Sequence, residues 1–114
     1  MALSLQVPIH VSPDAEAHVE WLGLRRELDL MIEHTRGAVL GVRSVSVRLA
    51  YSPEGGEPMV LILAETKVPG TEGPESDDYR SQLRWDEWVV DTFSPDVHRY
   101  FCMLTTYGVG DDGR

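Results

Sequence analysis

Two apolar stretches joined by a turn constrain this chain more than any other feature. They are V-S-V-R-L-A-Y at residues 45–51 and M-V-L-I-L-A-E-T-K at 59–67, with S-P-E-G-G-E-P between them. In the first, Val45, Val47, Leu49 and Tyr51 alternate with Ser46, Arg48 and Ala50, the pattern of a strand buried on one side. Gly55-Gly56 supplies the positive φ that a reversal needs. The second stretch is apolar on both sides at first, which suits a central strand. Pairing Tyr51 with Met59 sets 49 against 61, 47 against 63 and 45 against 65. In that register Met59, Leu61 and Leu63 join the core face. Val60, Ile62 and Ala64 then lie beside Ser46, Arg48 and Ala50 on a second, half-apolar face that something else must cover.

Helix signals flank the hairpin. Ser12-Pro13-Asp14 combines a hydroxyl cap, a proline whose missing N–H is harmless and an acid at the positive end of the dipole. A helix is expected from Pro13 to about Arg36, stopping at Gly37. At 100° per residue Ala17, Trp21, Leu24, Leu28, Met31, Ile32 and Thr35 form its core stripe, leaving Val19, Leu22 and Leu30 outside it. Ser76-Asp77-Asp78 opens a second helix ending near Phe93, with Trp85 and Trp88 on one side and Tyr79, Leu83 and Val90 on another. Ser94-Pro95-Asp96 repeats the cap signal, and residues 99–107 are rich in β-formers, so one helical turn and then a strand are expected. Residues 1–11 alternate like an edge strand interrupted by Pro8. The order (β)-α-β-β-α-β implies an α+β fold, with an antiparallel sheet of three or four strands packed with two helices.

The 114 residues suit a single domain, 1–114, with an acidic mobile loop at 69–76 and a disordered tail at 108–114. No run approaches the roughly 20 apolar residues of a membrane span, and the first residues lack the basic start of a secretory signal. A single cysteine, Cys102, excludes an internal disulfide framework. A cytosolic protein is expected. The formal charge is −9, and residues 69–96 carry eight acids against Arg80 and Arg84. Direct nucleic-acid binding requires a basic footprint, and none is visible.

Chemistry is sparse. His10, His18, His34 and His98 show no metal-ligand spacing, no serine has the glycines of a nucleophile elbow, and no cofactor or metal site is expected. Glu65-Thr66-Lys67 closes an apolar strand after a long helix and a hairpin. It resembles the (D/E)xK element of the PD-(D/E)xK nuclease superfamily, in which two acids bind Mg²⁺ and the lysine positions water. That resemblance implies Glu65 and Lys67 as catalytic residues, Glu54 as the first acid and Gln82 as a helix residue of the site. Glu54 lies in the turn, about 20 Å along the strand from Glu65, too far to share a metal.

The segment from Val45 to Tyr107 also resembles a group of small, mostly uncharacterised bacterial α-β-β-α-β proteins. The residues that carry the likeness are S-P-E-G-G-E-P, L-R-W-D-E-W-V-V and R-Y-F-C-M-L-T-T-Y. The resemblance implies the binding member of a two-gene toxin–antitoxin-like module, without catalytic residues. The expected function is therefore non-enzymatic binding of a protein partner or of a second copy, with a Mg²⁺-dependent nuclease as the alternative. The expected binding residues are Arg48, Val60, Ile62 and Ala64 on the hairpin, Trp85 and Trp88 on the second helix, and Val19, Leu22 and Leu30 on the first.

Overall fold

In the computed structural model, which describes residues 7–39, 42–66 and 77–107, four strands form one sheet and four helices connect them. The chain runs β1 (Ile9–Val11), α1 (Pro13–Leu22), α2 (Arg25–Ala38), β2 (Val42–Ala50), β3 (Met59–Thr66), α3 (Asp77–Thr92), α4 (Pro95–His98) and β4 (Phe101–Tyr107). The strands lie side by side in sequence order. The class is α+β, but the sheet is mixed, not antiparallel. Only β2 and β3, the hairpin, run antiparallel; β1 is parallel to β2 and β4 is parallel to β3. The cause is the connections: each helical pair carries the chain back over the sheet, and such a crossover delivers the next strand parallel to the last.

The expected long first helix is two helices. Gly23 takes a left-handed conformation (φ 76°), and its N–H reaches the Glu20 carbonyl while the Leu24 N–H reaches that of Val19. This double closure is a Schellman cap. Gly37, expected to end the helix, lies inside α2, which continues to Ala38. The break resets the helical phase. Leu28, Met31, Ile32 and Thr35 of α2 are buried as the periodicity requires, but in α1 the buried residues are Ala15 and Val19, and Trp21 is 74% exposed. The start of α1 follows the sequence signal: Ser12 and Asp14 side chains both accept the Ala15 N–H.

The core is a single layer between the helices and one face of the sheet. Val45 and Val47 of β2, Val60, Ile62 and Ala64 of β3, and Phe101 and Met103 of β4 meet Leu28, Met31, Trp85 and Val89. The short helix at Pro95–His98 followed by β4 fits the expected turn-then-strand. The strand expected over residues 1–11 is confirmed at Ile9–Val11 as a sheet edge. Residues 1–6, the loop 69–76 and the tail 108–114 lie outside the described residues. Among the described residues no helix is long and apolar enough to cross a membrane.

Candidate functional site: the open face of the sheet

The register of the hairpin decides which residues are available for contact. Ala50, not Tyr51, pairs with Met59, so Val45 faces Ala64, Val47 faces Ile62 and Leu49 faces Val60. This differs from the expected register by one residue. Side chains alternate with period two, so the slip exchanges the two faces of β3. Val60, Ile62 and Ala64, expected on an outer face, are fully buried beneath the helices. Met59, Leu61 and Leu63, expected in the core, point to the other side.

That other side is covered by no described helix. Its residues form rows across the sheet, because partners directly opposite each other share a face. Ala50 lies beside Met59; Arg48 beside Leu61 and Cys102; His10 and Ser46 beside Leu63 and Leu104; Ser44 beside Glu65 and Thr106. The β2 portion is polar, whereas β3 and β4 bear a continuous apolar ridge of Met59, Leu61, Leu63, Cys102 and Leu104. Met59 is 38% and Leu104 41% exposed, while Leu61, Leu63 and Cys102 are half-buried by their neighbours in the sheet.

Arg48 and Glu65 flank the ridge, and exposed Arg43 sits in the β2 bulge next to the Ser44–Glu65 pair. Arg48 is exposed and makes no ion pair among the described residues. Glu65 accepts the Ser44 hydroxyl at 2.9 Å, a contact across the hairpin that holds the carboxylate on the open face. Burial, followed by the Asp86 carboxylate, pushes the Cys102 thiol up, so the thiolate needed for nucleophilic chemistry is disfavoured.

The other expected surfaces do not assemble as expected. Val19 and Trp85 are buried, Leu22 is half-buried, and Leu30 is 49% exposed, so they form no common patch. The Trp85 N–H donates to Thr35 Oγ1 at 2.9 Å inside the core. Trp88 is half-buried; its ring stacks flat on His34 at 3.8 Å and meets the edge of Phe93 at 5.6 Å. Trp85 and Trp88 thus join α2 to α3. The outer side of α3 instead exposes Leu83 and Val90 beside a shallow cavity of about 350 Å³ lined by Asp86, Glu87, Val90 and Asp91.

The nuclease constellation is likewise divided. Glu54 sits in the hairpin turn and Glu65 at the far end of β3, and Lys67 lies outside the described residues. The Gln82 side-chain oxygen accepts both the N–H and the hydroxyl of Thr105, which ties α3 to the free edge of β4. Among the described residues no cluster of three or more His, Cys, Asp or Glu is placed to hold a metal ion.

Comparison with protein-family models, with curated proteins and with solved structures finds no match to this chain.

The ridge on β3 and β4 is hard to see in the sequence for a definite reason. Its signal is the alternation in R-Y-F-C-M-L-T-T, where Phe101 and Met103 point inward and Cys102 and Leu104 outward. That alternation acquires a meaning only once β4 is known to lie beside β3.

Proposed function

We propose that this chain works by binding protein through the open face of its sheet. The observation that carries the reading is the partly exposed ridge of Met59, Leu61, Leu63, Cys102 and Leu104, on a sheet whose opposite face packs against α1, α2 and α3. An apolar sheet face left to water is costly at about 25 cal/mol per Å², and contact with another protein removes that cost. The face has the anatomy of an interface: an apolar centre with a polar rim of Ser44, Ser46, Arg48 and Thr106. An antitoxin-like role, acting in the cytosol without catalysis, is consistent with this arrangement.

The test is affinity purification of tagged full-length chain from its native host, with untagged chain also expressed, comparing wild type with a Leu63→Lys, Leu104→Lys variant. Both substitutions lie outside the core, so the fold should survive, and circular dichroism checks that it does. The reading expects wild type to retain a stoichiometric protein, whether its own untagged copy or another, and the variant to lose it. Wild type recovered alone, or a bound protein retained equally by the variant, contradicts the reading.

A further inference from the structure

We infer that the free edge of β4 takes up an extended segment of another protein, a strand in which a basic residue alternates with apolar ones. The edge is a different surface from the open face, so this assignment stands or falls apart from the reading above.

The first support is the backbone. Along a strand the N–H and C=O groups of successive residues point to opposite sides. The Tyr100 carbonyl accepts the Val60 N–H and the Thr106 carbonyl accepts the Thr66 hydroxyl, so Cys102, Leu104 and Thr106 turn their groups toward β3. Phe101, Met103 and Thr105 turn theirs outward, and the Thr105 N–H donates there to Gln82 at 2.8 Å. The N–H groups of Phe101 and Met103 have no partner among the described residues. An unpaired edge is a template for an added strand, and Gln82 closes this one only at its Thr105 end.

The second support is charge. Asp86 follows Gln82 by one turn on the same side of α3. Its charge acts on the Cys102 thiol across the strand, which places the carboxylate beside the edge. Asp86 makes no hydrogen bond or ion pair among the described residues, and burial raises its pKa. Glu87, Val90 and Asp91 line the cavity of about 350 Å³ beside it, and Leu83 and Val90 are 45% and 56% exposed. Arg80 and Arg84 lie about 160° around the helix from Gln82, turned away from the edge. Arg99 donates to the Tyr100 hydroxyl and lines a separate cavity with Glu57 and Met59. The edge thus presents an unpaired carboxylate among apolar side chains, and its complement is a cation on an apolar strand.

Alternation fixes the pattern of that strand. Residues opposite each other in a sheet share a face. Met103 is buried on the helical side, so the residue opposite it points toward α3 and Asp86. Residues opposite Cys102 and Leu104 point to the open face and widen its apolar ridge. A second copy does not supply this pattern. Its own β4, F-C-M-L-T-T-Y, holds no base, and joining two β4 edges sets the α3 acids of both copies along one seam.

The probe is a blocked peptide of alternating valine and arginine, about seven residues long, titrated into the purified full chain. It should bind with a Kd below about 1 mM. At saturation, amide exchange read by NMR should slow about tenfold or more at Phe101 and Met103, while Cys102 and Leu104, already bonded to β3, stay slow throughout. Glutamate in place of arginine should weaken binding about tenfold or more, and Asp86→Asn should weaken the arginine peptide about threefold or more. Thermal melting checks that the variant folds. No binding of the arginine peptide at about 1 mM, or binding without slowing at Phe101 and Met103, overturns the edge assignment. Equal binding of the two peptides, or an unaffected Asp86→Asn, overturns the basic occupant. Either failure leaves the open-face reading standing, since the Leu63→Lys, Leu104→Lys purification decides that one.

Discussion

The indole N–H of Trp85 donates to the hydroxyl of Thr35 at 2.9 Å, and that hydroxyl donates to the Met31 carbonyl at 2.7 Å. Both side chains are buried, and the bond joins α3 to α2 across the core. A buried donor left without an acceptor costs about 1–3 kcal/mol. Thr35→Val keeps the shape of the site and removes the acceptor, so urea unfolding should show a loss of about that size. A variant as stable as wild type would mean that the bond does not hold the helices together.

The two glycines of the first helical pair should respond in opposite senses to alanine. Among the described residues, chain neighbours and the helix's own backbone apart, nothing lies within 4 Å of a Cβ added at either position, so backbone conformation decides. Gly23 has φ 76°, where an L-residue is strained, and Gly23→Ala should cost about 1–2 kcal/mol. Gly37 is helical, and Gly37→Ala should stabilise by about 0.5–1 kcal/mol. Thermal melting of the two variants measures both signs. Equal effects would place the helix break elsewhere.

His34 lies flat against Trp88 (3.8 Å between ring centres), and burial lowers the pKa of its imidazole. The unfolded chain therefore binds a proton at higher pH than the folded one does. The neutral ring's contribution is complete above the ordinary imidazole range, near pH 6.5, and is lost as the pH falls through that value toward the lowered one. Urea midpoints should decline between pH 7.5 and 5.5, and His34→Gln should flatten that part of the curve. A midpoint that rises on acidification would reverse the assigned sign.

The parts of the fold legible in the sequence were those fixed by local chemistry. Ser12-Pro13-Asp14 capped a helix as it should, the Leu28, Met31, Ile32, Thr35 stripe faced the core, and both hairpin strands formed. What the sequence did not reveal depended on distant partners. M-V-L-I-L-A satisfies a half-buried sheet in either register, so the alternation of β2 could not choose between Met59 and Val60 as the inward residue. The choice is made by β4, which packs Phe101 and Met103 with Val60 and Ile62 under the helices. Gly23 does not announce the break, since one glycine within a periodic run costs only about 1 kcal/mol. Without the break the periodicity of α2 runs on into α1 and points Trp21 inward. The mixed sheet was legible in principle from strand–helix–strand order; the hairpin obscured it by suggesting that all neighbours reverse.

Cys102 sits in the apolar ridge, and its raised pKa should make it react more slowly at pH 7 than an unhindered thiol does. Alkylation of the native chain by iodoacetamide should be slow, and unfolding in urea should release the full rate. Equal rates in native and unfolded chain would contradict the burial of this thiol.

The same thiol gives the most direct reading of contact at the open face, because Cys102 lies beside Leu61 within the apolar ridge. The measurement is the alkylation rate constant of Cys102 in the purified chain and in the affinity-purified complex, for wild type and for the Leu63→Lys, Leu104→Lys variant. The rate constant should be lower in the wild-type complex than in the purified wild-type chain, and the same in both preparations of the variant. A wild-type rate constant equal in complex and purified chain would contradict binding through this face.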